Sequence, residues 1–197
     1  MKLRIPAIES VLHESQRTVY ERLARFSVLE IGRRWGKTTF GEQIAIDDVV
    51  RSRRVGWFAP TYKFLAEPMR NFERTLKGIV SRVDRVEKRF EFRTGGSIDF
   101  WTLEDEDCGR GREYDRVIVD EAGFAPNLYS IWTAAIYPTL TTRKGSALLS
   151  RSMPRVPSPR SAIPPLPLHR TRPVPGPSFT GPAARLLRST TPSDGRS

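Results

Sequence analysis

The sequence is poor in cysteine and histidine and has no long apolar run, and each of these absences excludes a class of protein. Of its 197 residues one is cysteine, Cys108, and two are histidine, His13 and His169. A single cysteine cannot form an internal disulfide, and so few thiols and imidazoles cannot build a zinc ligand cluster. No segment approaches the length of a membrane span, and the N-terminal residues lack the apolar core of a signal peptide. We therefore expect a protein of a reducing, cytoplasmic compartment.

Basic charge is abundant but unevenly distributed along the chain. The formal net charge is +11, yet residues 150–197 hold eight arginines and a single aspartate and so carry +7 of it. A strong basic excess favours an acidic partner such as nucleic acid. Because residues 1–149 are only mildly basic, composition alone is weak evidence for DNA binding.

The composition changes abruptly after Leu149. The last 48 residues contain eleven prolines, eight arginines and eight serines. Proline at this density removes backbone donors, and a segment without apolar periodicity cannot bury enough surface to fold. We predict one folded domain over residues 1–149 and a disordered tail over 150–197. Three interpretations of the tail stay open: a basic arm, a proline-rich ligand for a partner domain, or translation in an aberrant frame. The last is favoured because the tail begins inside an expected strand.

Within residues 1–149, apolar strands alternate with helical segments. We predict helices over about 7–25, 37–51, 62–78 and 128–135, and strands over 26–31, 55–59, 89–92, 97–101, 117–119 and from 146. The stretch 94–96, Thr-Gly-Gly, predicts a hairpin that joins the strands 89–92 and 97–101. The pattern predicts an α/β fold with a mostly parallel sheet covered by helices on both faces.

The segment Gly32–Thr38, Gly-Arg-Arg-Trp-Gly-Lys-Thr, lies between a predicted strand and a predicted helix. Strand, tight loop and helix is the context of a phosphate-binding P-loop. Backbone N–H groups of such a loop converge on an anion, Lys37 would reach the β- and γ-phosphates, and Thr38 would offer its hydroxyl to Mg²⁺. The spacing is irregular because Ile31 occupies the usual position of the first glycine. A chance Gly-Lys-Thr at the start of a helix is the alternative.

The second motif is an apolar strand that ends in two adjacent carboxylates, Asp120 and Glu121. The carboxyl edge of an open α/β sheet is where ligands bind. Asp120 would hold Mg²⁺, and Glu121 would act as general base on the attacking water. Alone, such a strand end is more often simply solvated, so it indicates a functional site only because it occurs together with the Lys37 motif. The 83 residues between Lys37 and Asp120 leave room for a helix, a strand and another helix, which predicts an extra strand between the two motif strands.

Three more polar side chains are candidates for the site. Arg33 or Arg34, inside the loop, could neutralise charge on the γ-phosphate as an arginine finger does, or could be solvated or paired with nearby acids. Gln16 carries an amide that can both donate to and accept from an adenine edge. A surface glutamine without that role is the alternative.

Taken together, these motifs resemble the ATPase domain of the large terminase subunit of tailed bacteriophages and prophages. In that family a His-x-x-Gln segment precedes a variant loop, Gly-Arg-Arg-aromatic-Gly-Lys-Thr, and this chain has both, at 13–16 and 32–38. Further resemblance lies in Ala-Pro-Thr-Tyr-Lys at 59–63, Arg-Gly at 110–111, and Val117–Phe124, where Gly123 replaces the more usual alanine. The resemblance spans roughly residues 10–149.

The resemblance implies a P-loop NTPase fold, a three-layer αβα arrangement with a sheet incomplete at its C-terminal side. It also implies an ATP-driven motor that packages double-stranded DNA in the bacterial host cytoplasm, with a small terminase subunit and a portal protein as partners. A homo-oligomer is compatible with the resemblance. The implied ATP-binding set is Gln16, Gly32, Arg33, Arg34, Trp35, Gly36, Lys37, Thr38 and Thr39. By the same resemblance Thr38 and Asp120 bind Mg²⁺, and Glu121 is the catalytic base, assisted by Arg33 or Arg34.

The chain departs from the family pattern after Leu149. The family continues with a Ser-Thr-Pro coupling motif, further strands and a nuclease domain, whereas here Ser152-Met153-Pro154 only echoes that motif and Asp194 is the one acid that follows. A two-metal nuclease site needs several carboxylates, so we expect no DNA cleavage and weak ATP hydrolysis. Two other functions stay open. One is a helicase-like P-loop ATPase, although its arginine-bearing second half is missing, and the other is a non-catalytic nucleotide- or nucleic-acid-binding protein with a basic arm.

Overall fold

A seven-stranded, mostly parallel sheet organises the folded part of the chain. The computed structural model describes residues 7–152, and its strands follow the order β1-β7-β6-β2-β5-β4-β3. Their bounds are Phe26–Ile31 for β1, Arg54–Ala59 for β2, Val80–Asp84 for β3, Arg89–Phe92 for β4, Ser97–Thr102 for β5, Arg116–Val119 for β6 and Ser146–Ser152 for β7. Pairing is parallel from β1 to β5 and antiparallel from β5 to β3. The α/β class and the hairpin between β4 and β5 are confirmed.

Six α-helices accompany the sheet in the described residues. They are α1 (Ile8–Val11), α2 (Glu14–Glu21), α3 (Lys37–Val50), α4 (Tyr62–Thr75), α5 (Leu128–Ile131) and α6 (Tyr137–Thr139), with a π-helical turn at Trp132–Ile136 between the last two. None of these helices is long and apolar enough to cross a lipid bilayer.

The central strand β2 is buried on both faces, as its apolar sequence predicts for a parallel sheet. Trp57 faces α3, where a Cβ added to Gly41 would lie 3.2 Å from its ring. Phe58 faces the opposite way and packs edge-on against Tyr114, with 6.3 Å between ring centroids. Both aromatic side chains are fully buried. The core therefore lies on both sides of the sheet.

The predicted first helix, residues 7–25, is wrong in its length. Two short helices replace it because Leu12 is extended (ψ 137°) and His13 caps the start of α2. The His13 side chain accepts from the backbone N–H of Gln16, and the Gln16 side chain accepts from the backbone N–H of His13. This reciprocal pair is a capping box, which fixes the beginning of a helix more firmly than apolar spacing extends one. Strand β3 was not predicted at all.

The extra strand predicted between the two motif strands is present, but its origin differs from the prediction. The strand between β1 and β6 is β7, which follows the second motif along the chain. The segment inserted between the motifs instead supplies β2 to β5, which extend the sheet on the far side of β6.

Strand β7 crosses the predicted boundary at residue 150. Strand β7 continues to Ser152, so that Ser150, Arg151 and Ser152 belong to the sheet and pair with β1. Residues 153–197, the rest of the predicted disordered tail, lie outside the described residues.

Candidate functional site

Three neighbouring parallel strands end at the same edge of the sheet and bring the two sequence motifs together. The loop Gly32–Gly36 follows β1, Asp120 and Glu121 follow β6, and β7, between them, ends in Ser150–Ser152. The carboxyl edge of a parallel sheet is where an open α/β fold binds its ligands.

The loop delivers an uncapped helix start to this edge. Gly36 precedes α3 in the left-handed conformation (φ 86°, ψ 37°), and no side chain caps the helix there. The first N–H groups of a helix have no partner within the helix, and the helix dipole adds partial positive charge at the same end. The 14-residue helix α3 therefore presents free donors suited to an anion.

Lys37, the first residue of α3, is folded back over the loop. Its Nζ donates to the carbonyl oxygens of Ile31 at 3.3 Å and Gly32 at 3.4 Å, and the side chain is 7% exposed. These two contacts hold the ammonium beside the loop, on the same side as the free N–H groups. A phosphate in the loop would meet a cation that is already in place.

Thr38 and Asp120 join the two motifs directly. The Thr38 hydroxyl donates to Asp120 Oδ2 at 2.7 Å, while Asp120 Oδ1 accepts from the Ser150 hydroxyl at 2.7 Å and from the Glu121 backbone N–H at 3.1 Å. Asp120 is 3% exposed. Three donors fix the direction of this carboxylate, so one of its oxygens faces the start of α3.

These two side chains fit Mg²⁺, a hard cation that prefers oxygen ligands and uses only one or two protein groups when phosphates supply the rest. Thr38 Oγ1 and Asp120 Oδ2 are the oxygens that would hold it. Within residues 7–152 no group of three or more His, Cys, Asp or Glu side chains is arranged to hold a metal. A metal at Thr38 and Asp120 would thus need further oxygen ligands from phosphate or water.

Glu121 is held in an uncommon backbone conformation that directs its side chain into the site. Its φ of 51° and ψ of 41° lie in the left-handed region, which costs a non-glycine residue about 1–3 kcal/mol and recurs at functional sites. The Ser152 hydroxyl donates to Glu121 Oε1 at 2.9 Å. The other oxygen, Oε2, is buried and accepts no hydrogen bond from the described residues. Glu121 therefore has one anchored oxygen and one buried oxygen without a hydrogen-bond partner among the described residues.

A cavity of about 400 Å³ opens between the loop and Glu121. Its lining combines residues of the two motifs with two aromatic side chains and a serine: Arg33, Arg34, Gly36, Lys37, Thr38, Thr39, Phe64, Glu121, Phe124 and Ser152. Phe64, on α4, stacks on Phe124 with 5.7 Å between ring centroids and an interplanar angle of 27°. This pair forms an apolar wall of the cavity, opposite the polar loop.

Arg33 and Arg34 stand at the mouth of the cavity. Both are exposed, and neither makes an ion pair with another side chain among the described residues. Arg34 has a positive φ of 69°. Of the two interpretations drawn from the sequence, pairing with nearby acids is therefore not observed in this structure, and both guanidinium groups are available to a ligand.

Gln16 does not line the cavity. Its Nε2 donates to the carbonyl oxygens of Trp35 and Gly36, each at 3.4 Å, and the residue is 5% exposed. Trp35 also packs away from the cavity, edge-on against Phe40 of α3 with 5.3 Å between ring centroids. The amide predicted to contact adenine is thus engaged with the loop itself.

One buried acid lies behind the site and is not part of it. Glu42 follows Thr38 by one turn of α3, and burial raises the pKa of its carboxyl group. The nearby charges of Glu67 and Asp120 raise that pKa further, while a hydrogen bond from Asn71 Nδ2 to Glu42 Oε1 at 3.0 Å lowers it.

Most predicted site residues converge, and sequence reasoning missed four that join them. Phe64, Phe124, Ser150 and Ser152 were not among the candidates. Strand alternation places Ser150 and Ser152 on one face of β7, since residues two apart share a face, but only the strand order brings that face to the carboxylates. The stacking of Phe64 on Phe124 has no signal in the sequence because it joins segments sixty residues apart.

The strand order, the left-handed glycine before α3 and the paired Thr38 and Asp120 together define an α/β fold of the P-loop type. Comparison with known proteins agrees with this class. No protein-family model matches the chain. The large terminase subunit of Thermus virus P23-45 is 28% identical to it, over 70% of this chain and 33% of that protein.

Solved structures give the same result for the fold. The large terminase ATPase domain of Thermus phage P74-26 is similar with a TM-score of 0.59 and 22% identity, over 71% of this chain and 64% of that chain. The large terminase of bacteriophage HK97 is similar with a TM-score of 0.55 and 18% identity, over 72% of this chain and 33% of that one. The resemblance to phage large terminases is confirmed, and the described residues have the fold of their ATPase domain. The chain spans about a third of the length of the curated relative it matches.

Proposed function

We propose that this chain carries the ATP-binding and ATP-hydrolysing domain of a phage DNA-packaging terminase large subunit. The observation that carries the proposal is the contact between Thr38 and Asp120, at 2.7 Å, with Lys37 and Glu121 on either side of the same cavity. A chance Gly-Lys-Thr would have no reason to meet the end of a second apolar strand. The names of its relatives, large terminase subunits and their ATPase domains, support the same assignment.

In this proposal each residue has one task. Lys37 and the first N–H groups of α3 bind the β- and γ-phosphates. Thr38 with Asp120 would hold Mg²⁺, which would supply the charge that neutralises the phosphates. The carboxylate of Glu121 accepts a proton from water. The water oxygen then bonds to the γ-phosphorus as the bond to the β,γ-bridging oxygen breaks. Arg33 or Arg34 stabilises the charge that develops on the γ-phosphoryl oxygens.

Double-stranded DNA, a small terminase subunit and a portal protein would be the partners of the whole assembly. Their support is the similarity to large terminase subunits, not a feature of the described surface.

The test is phosphate release from ATP in the presence of Mg²⁺, measured on the full chain and on Glu121→Gln. We expect the variant to lose about 10²–10⁴-fold in turnover, the contribution typical of a positioned general base, while it still binds ATP. Glutamine keeps the size of the side chain and can still accept from Ser152, so the change removes basicity and little else. Equal turnover in the two proteins would refute the role of Glu121, and no turnover in either would reduce the proposal to nucleotide binding.

A further inference from the structure

The N-terminal segment holds the phosphate loop through a small cluster of contacts, which we call the latch and define as His13, Ser15, Gln16 and Trp35. Nε2 of Gln16 donates to the Trp35 and Gly36 carbonyl oxygens, and Nε2 of His13 lies 3.2 Å from the same Trp35 oxygen. The indole Nε1 of Trp35 donates to the Ser15 hydroxyl at 2.9 Å. These contacts join the start of helix α2 to the loop through both the carbonyl oxygen and the indole ring of Trp35.

One set of proton positions satisfies the whole latch. Nδ1 of His13 accepts from the Gln16 backbone N–H, which assigns a proton to Nε2, the atom that faces the Trp35 carbonyl oxygen. The Ser15 hydroxyl, having accepted from Trp35, lies 3.1 Å from the same Nδ1, whose one lone pair it shares with the Gln16 N–H. The orientation of the Gln16 amide is fixed as well, because two carbonyl oxygens face its nitrogen and an N–H group faces its oxygen.

The Gln16 amide therefore has no free donor for a purine ring. An amide nitrogen has two protons, and both are directed at loop carbonyls. Recognition of adenine by this amide would need a donor and an acceptor together, so the loop would have to be released first. The Gln16 amide also lies close to the loop backbone, since a Cβ added to Gly36 would lie 3.1 Å from Gln16 Nε2. Because the residue is buried, exchange of these bonds for bonds to a base would also require movement of α2.

We infer that Gln16, with His13 and Ser15, is a positioning residue for the phosphate loop and does not select the base. The latch fixes the Trp35 and Gly36 peptides, which immediately precede Lys37, and so presets the loop for the triphosphate of any nucleotide. The inference rests on the proposed function for its ligand, but the latch can also be tested without one.

The first experiment compares binding of MgATP, MgGTP and Mg-tripolyphosphate to the wild-type chain and to Gln16→Ala. We expect all three affinities to fall by the same factor, about 3- to 30-fold for the loss of two hydrogen bonds, with the ATP-to-GTP ratio changed less than twofold. Loss of ATP affinity alone, with a collapse of that ratio, would overturn the inference in favour of adenine contact. Unchanged affinity for all three would overturn it too.

Two further variants separate the latch from helix stability. Gln16→Glu keeps the oxygen that accepts from His13 and so keeps the capping box, but it loses both donors to the loop. It should behave like Gln16→Ala. Thr18→Ala, on the exposed side of α2, removes a hydroxyl that bonds only to the Glu14 carbonyl. It should bind like the wild type, and equal weakening by Thr18→Ala would show that α2 stability, not the latch, is responsible.

The second experiment needs no nucleotide and so separates failure of the latch from failure of the proposed function. Arg33 and Arg34 are exposed trypsin sites in the loop that the latch holds. We expect trypsin to cleave there several times faster in Gln16→Ala and Gln16→Glu than in the wild type or Thr18→Ala. Equal cleavage rates in all four proteins would contradict the latch, whatever the chain binds.

Discussion

The floor and the rim of the cavity are built in opposite ways. The floor, which we define as Lys37 and Thr38 of the cavity lining together with Asp120 and Ser150 behind them, is mostly buried. Every one of these side chains donates or accepts a hydrogen bond. The rim, defined as Arg33, Arg34, Phe64 and Phe124, is held only by the stacking of its two phenylalanines. The floor is preorganised for phosphate and metal, whereas the arginines of the rim are left free to follow the ligand.

The largest expected effect that tests this difference between floor and rim is the loss of turnover when the rim arginines are replaced. If one of them stabilises the γ-phosphoryl charge, the double variant Arg33→Ala/Arg34→Gly should lose about 100-fold or more in turnover, because an arginine finger contributes 10³–10⁵-fold in related enzymes. Glycine is chosen at 34 because the positive φ there would strain an alanine. Steady-state phosphate release measures the loss.

Binding of ATP should change much less, since the floor keeps its contacts with the phosphates. The two single variants then show which arginine is responsible. Lys63→Ala, an exposed cation of α4 outside the cavity lining, controls for the general loss of positive charge. Unchanged turnover in the double variant would mean that the arginines are solvated and that the floor alone performs the chemistry.

A smaller effect should sharpen the comparison at the end of β7. Ser152→Ala removes the one hydrogen bond that anchors Glu121 Oε1, so we expect turnover to fall about 3- to 10-fold, as for one hydrogen bond, with ATP affinity unchanged. Ser146→Ala, on the same strand but far from the carboxylates, should leave both quantities as in the wild type. A change in affinity equal to the change in turnover would show that Ser152 supports the floor and not the base.

Three of the four floor residues, Lys37, Thr38 and Asp120, could be predicted from the sequence, whereas Ser150 and much of the surroundings could not. The sequence Gly36-Lys37-Thr38 indicates the start of a helix that binds phosphate. The position of Asp120 at the ligand-binding edge follows from the general rule for parallel sheets, because Asp120 ends an apolar strand. Contacts that depend on strand order were beyond reach, because nothing local indicates that β7 inserts between β1 and β6.

The same dependence on specific contacts explains why the structure differs from the sequence prediction at the N-terminus and at residues 150–152. Apolar spacing favoured one long helix over residues 7–25, while the capping box at His13 and Gln16 breaks it. Composition favoured disorder from residue 150, but parallel pairing with β1 extends β7 to Ser152. In both places a specific contact outweighed a pattern averaged over many residues.

The most direct test of the account is calorimetric titration of ATP, with Mg²⁺, into the wild-type chain and into Lys37→Ala. The floor predicts measurable binding by the wild type and a loss of at least about 10-fold in the variant, since a hydrogen bond to a charged group contributes about 1.5–3 kcal/mol. Matching melting temperatures would show that the variant still folds. Equal affinity of the two proteins for ATP would contradict the assignment of Gly32–Thr38 as a phosphate loop, and with it the proposed function.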